Sequence, residues 1–292
     1  MESLKNELVR IKTKDGLELQ GLLFEPRKAG KKALVHLHGW TGNFYENEFI
    51  EHMAEQLASK GIALLTFNTR GAGHVQEFLR KKKGKTEYVK IGGSLEKFEE
   101  CVFDIEAAIK LLGKKGYKEF ILQGHSTGCQ KAAFYKWKTK DAWVKGIVLL
   151  EPSDDPEITE RMLGARYSEA LEIARRMIAE GKADSPMPEW VPFGVMLSAQ
   201  KFISMADPAK VEGRLFHYSG EMKEMQELDC PVLAVFGSRS DYTENPAEKL
   251  EILKKKMKRC DTKLIKNSNH WFFGHEQELG KTVAEWAEKK RK

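Results

Sequence analysis

Short apolar runs alternate with stretches of helical spacing along most of this chain. The first segment, residues 8–19, instead alternates apolar and polar positions on both sides of Asp15-Gly16. That predicts an antiparallel hairpin, because Asp-Gly tolerates the positive φ of a tight turn. Residues 33–37 form an apolar run ending in His38-Gly39. Helical spacing through Phe49, Ile50, Met53 and Leu57 follows, closed by Gly61. Residues 62–67, 120–122 and 144–150 read as further buried strands. Helices are predicted over 96–112 and about 129–137. Strands buried on both faces and alternating with helices imply a parallel sheet covered on both sides, an α/β fold.

The alternation breaks after Leu150, and the next convincing strand is 231–236. The intervening segment is far longer than the roughly 10–15 residues of one crossover helix. It reads as helices over 157–163, 168–180 and 198–205, with the proline-braced stretch 185–193 between the last two. Residues 1–150 and 214–292 are therefore expected to form the core, and 151–213 a helical lid over the carboxyl ends of the strands. Trp190 and Phe193 are the expected lid contacts to a substrate. Five methionines of the insertion (162, 177, 187, 196 and 205) are read as either adaptable lining or helix core. A last strand at 262–265 precedes a terminal helix running through Val283 and Trp286.

Composition narrows the classes. The 292 residues can bury a large core without disulfide or metal staples. Lys+Arg 49 against Asp+Glu 43 leaves only +6, so dedicated nucleic-acid binding is not expected. No apolar run approaches the ~20 residues of a membrane span. Residues 1–7 lack the apolar stretch of a signal peptide. Cys101, Cys129, Cys230 and Cys260 form no Cys-x-x-Cys pair, so reduced thiols in a cytoplasmic protein are expected. The basic clusters at 80–85, 254–259 and 289–292 read as solvated faces or chain ends. Oligomeric state stays open between monomer and homodimer.

The chemistry concentrates in five residues, Gly124-His125-Ser126-Thr127-Gly128. They fit G-x-S-x-G, follow a strand and open a helix, the context such a motif requires. A serine nucleophile needs a base. His270, just past the last strand, is the expected base, with His275 as competitor. His36 and His38 are expected to shape their loop, and the His125 side chain to point elsewhere in the turn. The imidazole needs an acid, which should lie between serine and histidine in the chain. Asp241 is the first carboxylate after the strand 231–236; Glu244 is second, and Asp154 or Asp155 third. Backbone N–H groups of Trp40 and Thr127 are the expected oxyanion donors. The turn 68–74 is glycine-rich but does not fit a phosphate loop, and Arg70 is read as its brace.

From about residue 8 to 288 the chain resembles the α/β-hydrolase superfamily. The likeness rests on His38–Asn43, Thr69–Gly73, Gly124–Gly128, Gly237–Asp241 and Asn269-His270. Gly124 to Gln130 is similar to the branch of fungal siderophore esterases. The His-Gly-aromatic-Thr-Gly-Asn loop is similar to that of feruloyl and cinnamoyl esterases. The resemblance implies a serine hydrolase with Ser126, Asp241 and His270 as triad, no metal and no organic cofactor. The family acid usually stands three residues after the glycine ending its strand. Here Ser240 holds that position, and Asp241 lies one further. The expected activity is hydrolysis of small-to-medium acyl or aryl esters. An acyltransferase, a peptidase or a non-catalytic binding protein on the same scaffold are the alternatives.

Overall fold

Alternate residues of each central strand go to opposite cores, which is why those strands read as unbroken apolar runs. The computed structural model describes residues 4–28, 30–193 and 196–289. It opens with β1 (Leu4–Lys12) and β2 (Glu18–Pro26), paired antiparallel. Gly16 turns this hairpin at φ +99°. Next come β3 (Lys32–Leu37), α1 (Phe49–Ser59) and β4 (Ala63–Phe67). A separate hairpin, β5 (Gln76–Lys82) and β6 (Lys85–Ile91), precedes α2 (Cys101–Lys114). Then follow β7 (Glu119–His125), α3 (Gly128–Thr139) and β8 (Val144–Leu150).

Between β8 and β9 the chain carries α4 (Asp155–Leu163), α5 (Tyr167–Ala179), α6 (Ala199–Ala206), the short α7 (Val211–Arg214) and the short α8 (Lys223–Gln226). The chain closes with β9 (Val232–Gly237), α9 (Pro246–Lys256), β10 (Cys260–Ile265) and α10 (Glu276–Glu288). The main sheet has eight strands in the order β1-β2-β4-β3-β7-β8-β9-β10. β3, β4, β7, β8, β9 and β10 run parallel. Val35, Ile147, Leu149 and Phe236 enter one core with residues of α2, α3 and α9. Leu34, Val148, Leu150 and Val235 enter the other with α1 and α10. This is the α/β-hydrolase architecture expected from the sequence. Among the described residues no helix is long and apolar enough to cross a membrane.

The β5–β6 hairpin and the helices α7, α8 and α9 lie where the sequence pattern predicts no element. The basic cluster 80–85 belongs to the β5–β6 hairpin, turned by Lys83 and Gly84 at φ +50° and +78°. Two positive φ values make a turn whose twist suits a hairpin. Mostly exposed lysines conceal the strand alternation, and only Phe78 of β5 is fully buried. The cluster 254–259 begins in the last turn of α9, where lysines favour the negative end of the helix dipole. Residues 290–292 of the third cluster lie outside the described residues.

Candidate active site

Ser126 sits between β7 and α3 with φ +53°, a left-handed conformation that costs a non-glycine residue about 1–2 kcal/mol. Tight packing forces that turn. A Cβ on Gly124 would lie 2.3 Å from Cys129 N, and one on Gly128 would lie 2.2 Å from Leu37 O. Only glycine at both positions lets the strand, the turn and β3 approach so closely. The Cys129 N–H donates to Ser126 O at 2.9 Å, closing the turn. The serine is half-buried at the end of the strand.

His270 lies on the loop between β10 and α10 and is buried. Its Nδ1 is 3.2 Å from Glu151 Oε2. That contact leaves Nε2, the nitrogen a general base uses toward a serine, on the other side of the ring. Glu151 is fully buried just past the end of β8, also at φ +53°. Its Oε1 accepts from Gly237 N–H at 2.6 Å, and its Oε2 from the Ser240 hydroxyl at 2.5 Å. Burial pushes the Glu151 carboxyl up to about 7, against the pull of these two donors. Burial lowers His270 to about 4, with the Asp241 charge opposing. The imidazole is therefore neutral at neutral pH, the form able to accept a proton.

The residue predicted as acid is placed differently. Asp241 is exposed, and its Oδ2 accepts from the backbone N–H of His270 at 3.1 Å, not from the ring. The runners-up are further away in role. Glu244 is exposed and pairs with Arg161 at 3.4 Å. Asp154 caps α4 and accepts from Tyr218 N–H. Asp155 accepts from Ser153 Oγ and Gln130 Nε2. Glu151 escapes the sequence reading because it abuts an apolar strand; the available signal was that it is the first polar residue after Leu150.

The other histidines take supporting places. His125 does not point away: its Nε2 donates to the His270 carbonyl at 2.9 Å, and the two rings lie 4.8 Å apart. Tyr242 and Trp271 meet the His270 ring edge-on. His38 Nδ1 donates to Gly39 O, and its Nε2 accepts from Thr69 N–H, so it ties the loop after β3 to the turn after β4. His36 is buried against Gln123. His275 stands at the start of α10, 3.8 Å from Glu278. Arg70 is a brace: buried, it grips Asp104 and also reaches Glu100 and Asp15.

The loop after β3 presses on Ser126. A Cβ on Gly39 would lie 3.2 Å from Ser126 Cβ. Trp40 Nε1 donates to Gly93 O at 2.9 Å, which fastens that loop to the base of the β5–β6 hairpin. Among the described residues the backbone N–H groups of Trp40 and Thr127 donate to no carbonyl or side chain.

Ser126, His270, Trp40 and Thr127 line one cavity of about 420 Å³. Its apolar wall comes largely from the insertion: Ile158, Met162, Phe193, Leu197, Phe202 and Met205. Phe193 also meets Trp40 edge-on at 5.3 Å. Trp190, predicted beside it, does not line the cavity; it is half-buried, packing against the cluster of α5 and α6 and beneath the Arg166 guanidinium. Met187 is buried in that cluster. Ser126 Oγ makes no direct hydrogen bond to His270 among the described residues, a bond that commonly tightens only with substrate. Two polar groups stand out in the cavity. Thr127 Oγ1 is buried with no partner among the described residues. Asp155 is buried, which pushes its carboxyl up to about 7.

A buried ionic chain joins α3 to α6 and α7. Lys131 on α3 pairs with Glu96 at 2.8 Å, Glu96 with Lys201 on α6 at 3.2 Å, and Lys201 with Glu212 on α7 at 2.6 Å. All four side chains are essentially inaccessible, so each charge depends on its neighbours. Among the described residues no group of His, Cys, Asp and Glu is arranged to hold a metal ion.

The family described as "Protein of unknown function (DUF1749)" matches residues 83–290, from the β5–β6 turn to the end of α10. The chain belongs to this family. Its members are α/β-hydrolases. No curated protein matches the sequence. Among solved structures, Est1E from Butyrivibrio proteoclasticus with ferulic acid bound is similar at 19% identity and TM-score 0.64, over 95% of this chain and 97% of that one. The Pyrococcus furiosus esterase Pf2001 is similar at 17% identity and TM-score 0.62, over 97% and 90%. The esterase domain of a Rhodothermus marinus protein is similar at 15% identity and TM-score 0.61, over 97% and 98%. At these identities the likeness is one of fold. In this member of the DUF1749 family, the serine, the histidine and both predicted oxyanion donors meet at one cavity, and the carboxylate at the imidazole comes from Glu151.

Proposed function

We propose that the protein is a serine carboxylic ester hydrolase acting on small-to-medium acyl or aryl esters. One observation carries this. A serine on a strained turn faces the same cavity as a neutral, buried histidine whose far nitrogen meets a buried carboxylate. Esterases among the similar structures support the class, as does the ferulic acid bound to Est1E.

In this reading Ser126 Oγ attacks the ester carbonyl, and its proton passes to His270 Nε2. The Trp40 and Thr127 N–H groups hold the oxyanion. The tetrahedral adduct collapses, His270 returns the proton to the leaving alcohol, and an acyl-Ser126 remains. Water then attacks that acyl group, giving its proton to His270, and the acid leaves as Ser126 is reprotonated. Glu151, in the role first given to Asp241, fixes the imidazole tautomer and stabilises the imidazolium without taking its proton. Asp241 holds the His270 backbone.

The segment 151–213 serves as a lid on the core formed by 1–150 and 214–292. Phe193 and its apolar neighbours favour hydrophobic acyl or aromatic groups, since covering apolar surface supplies binding energy. The substrate is a small molecule and the setting cytoplasmic, in keeping with the free cysteines.

The test is hydrolysis of p-nitrophenyl esters from acetate to decanoate, with and without a fluorophosphonate. Inhibitable turnover with a chain-length optimum is expected. Absence of both turnover and Ser126 labelling would replace this reading with a binding protein on a hydrolase scaffold.

A further inference from the structure

The polar end of the cavity is built from hydrogen-bond acceptors. Asp155 lies on the cavity wall past the end of β8 and is buried. Its Oδ1 accepts from Ser153 Oγ at 2.8 Å, and its Oδ2 from Gln130 Nε2 at 3.0 Å. The Ser153 hydroxyl, also on the wall, spends its one proton on Asp155 and keeps only lone pairs for a ligand. Thr127 Oγ1 is buried on the same wall without a partner among the described residues. No cation there pairs with Asp155. Lys201, whose charge it feels, is already held by Glu96 and Glu212. The rest of the wall supplies no positive charge either. Its other carboxylate is Glu46, its described residues include no lysine or arginine, and burial keeps His125 and His270 neutral.

Resting on the serine-hydrolase reading above, we infer that Asp155, Ser153 and Thr127 Oγ1 form an ammonium subsite, and that the preferred substrates are esters whose acyl group carries an amine. The match is chemical. An ammonium brings three donors and no acceptor, so one carboxylate and two hydroxyl oxygens can each take one. It also brings the charge that the carboxyl is missing, since burial without a paired cation pushes Asp155 up to about 7. A ligand hydroxyl brings one donor and leaves that charge unmatched. A ligand carboxylate meets no cation and is repelled by Asp155 and Glu46. Thr127 places the subsite on the acyl side. Its backbone N–H is the proposed oxyanion donor, so its Oγ1 stands within one residue of the carbonyl that becomes the acyl-enzyme.

The experiment has a binding arm and a turnover arm, both at pH 8, above the raised Asp155 value. Titration calorimetry follows benzylammonium, benzyl alcohol and phenylacetate on wild type, Asp155→Asn, Thr127→Val and Glu46→Gln. Benzylammonium should bind wild type at least about tenfold more tightly than benzyl alcohol, the scale of hydrogen bonds to a charged group. Phenylacetate should bind most weakly. Asp155→Asn should bring the ammonium and the alcohol within about twofold of each other, and Thr127→Val should narrow the gap by about threefold. In the turnover arm, p-nitrophenyl ω-aminohexanoate should show a KM about tenfold below that of the hexanoate in wild type, and no such advantage in Asp155→Asn.

Equal binding of the ammonium and the alcohol overturns the inference, as does a preference that survives Asp155→Asn. Loss of the preference in Glu46→Gln, with its retention in Asp155→Asn, moves the cation to Glu46 and overturns the subsite. A merely structural Asp155 would lower the melting temperature on substitution and leave the preference intact. Should Asp155→Asn fail to fold, Thr127→Val and Glu46→Gln carry the comparison. Should wild type hydrolyse neither ester, the hydrolase reading fails, and calorimetry still decides the subsite. Should the hexanoate turn over with no ammonium preference in either arm, the subsite fails and the hydrolase reading stands.

Discussion

Ser126 and Glu151 leave the ends of two adjacent parallel strands with the same left-handed φ, +53°. The two ends are stitched together: Ser126 N–H donates to Leu150 O at 2.9 Å. Each turn lifts a functional side chain away from its strand, one to the cavity and one to the back of His270. Backbone strain of this kind persists only where surrounding packing holds it, and it collects at functional sites.

Replacing Ser126 separates chemistry from strain. Ser126→Ala should abolish hydrolysis and fluorophosphonate labelling while leaving the melting temperature near wild type, since alanine meets the same left-handed penalty. Ser126→Gly should be equally inactive but melt slightly higher, by up to about 1 kcal/mol of relieved strain. Substantial activity in Ser126→Ala would remove the nucleophile assignment.

The pH profile should follow the Glu151–His270 pair. The working state is a neutral imidazole beside an ionised carboxylate. Burial raises Glu151 to about 7 and lowers His270 to about 4, so a proton taken up at either site as pH falls disables the pair. kcat/KM should therefore rise with pH through one apparent pKa set by the more easily protonated member, about 7, and then level off; that pKa belongs to the pair rather than to either residue. Rate measurements from pH 4 to pH 9 check this. Activity that is flat down to pH 4 would contradict it.

Phe193 and Trp190 should part company despite lying three residues apart. Phe193 lines the cavity, whereas Trp190 is half-buried against the cluster formed by α5 and α6. Phe193→Ala should raise KM for octanoate more than for acetate, with kcat on acetate little changed. Trp190→Ala should instead lower the melting temperature and leave the chain-length preference alone. Parallel KM series and melts of the two variants distinguish the cases.

Lys201 tests the buried ionic chain. Lys201→Met leaves Glu96 with Lys131 alone, and Glu212 with no cation beside it in that chain. Breaking one member of a buried set costs about 3–5 kcal/mol. Urea unfolding should show a loss of that size. An unchanged midpoint would mean that water or the remaining lysine compensates.

The order of elements was written in the chain, because local periodicity and the demand for two covered sheet faces act over short distances. The hairpin at Gly16, the strands around Val35 and Val148, and the insertion helices all fall within a few residues of their expected places. The strained turn at Ser126 was equally legible: steric exclusion at Gly124 and Gly128 is local, and a motif can carry it. His270 followed from its place after the last strand. The hairpin after Gln76 did not, since a lysine-rich strand pair with one buried aromatic carries almost no apolar alternation. Nor did the orientation of Trp190, which depends on where the helices of the insertion pack.

The acid shows the division most sharply. Chain order and the first carboxylate after a strand pointed to Asp241, and that residue does reach His270, at its backbone. Which carboxylate meets the ring depends on the lateral order of β8, β9 and β10, and on a left-handed turn at Glu151 that aims its side chain inward. Glu151 and His270 stand 119 residues apart in sequence. Sequence alone specifies which residues can do the chemistry. Only the closing of neighbouring strands brings two of them within one hydrogen bond.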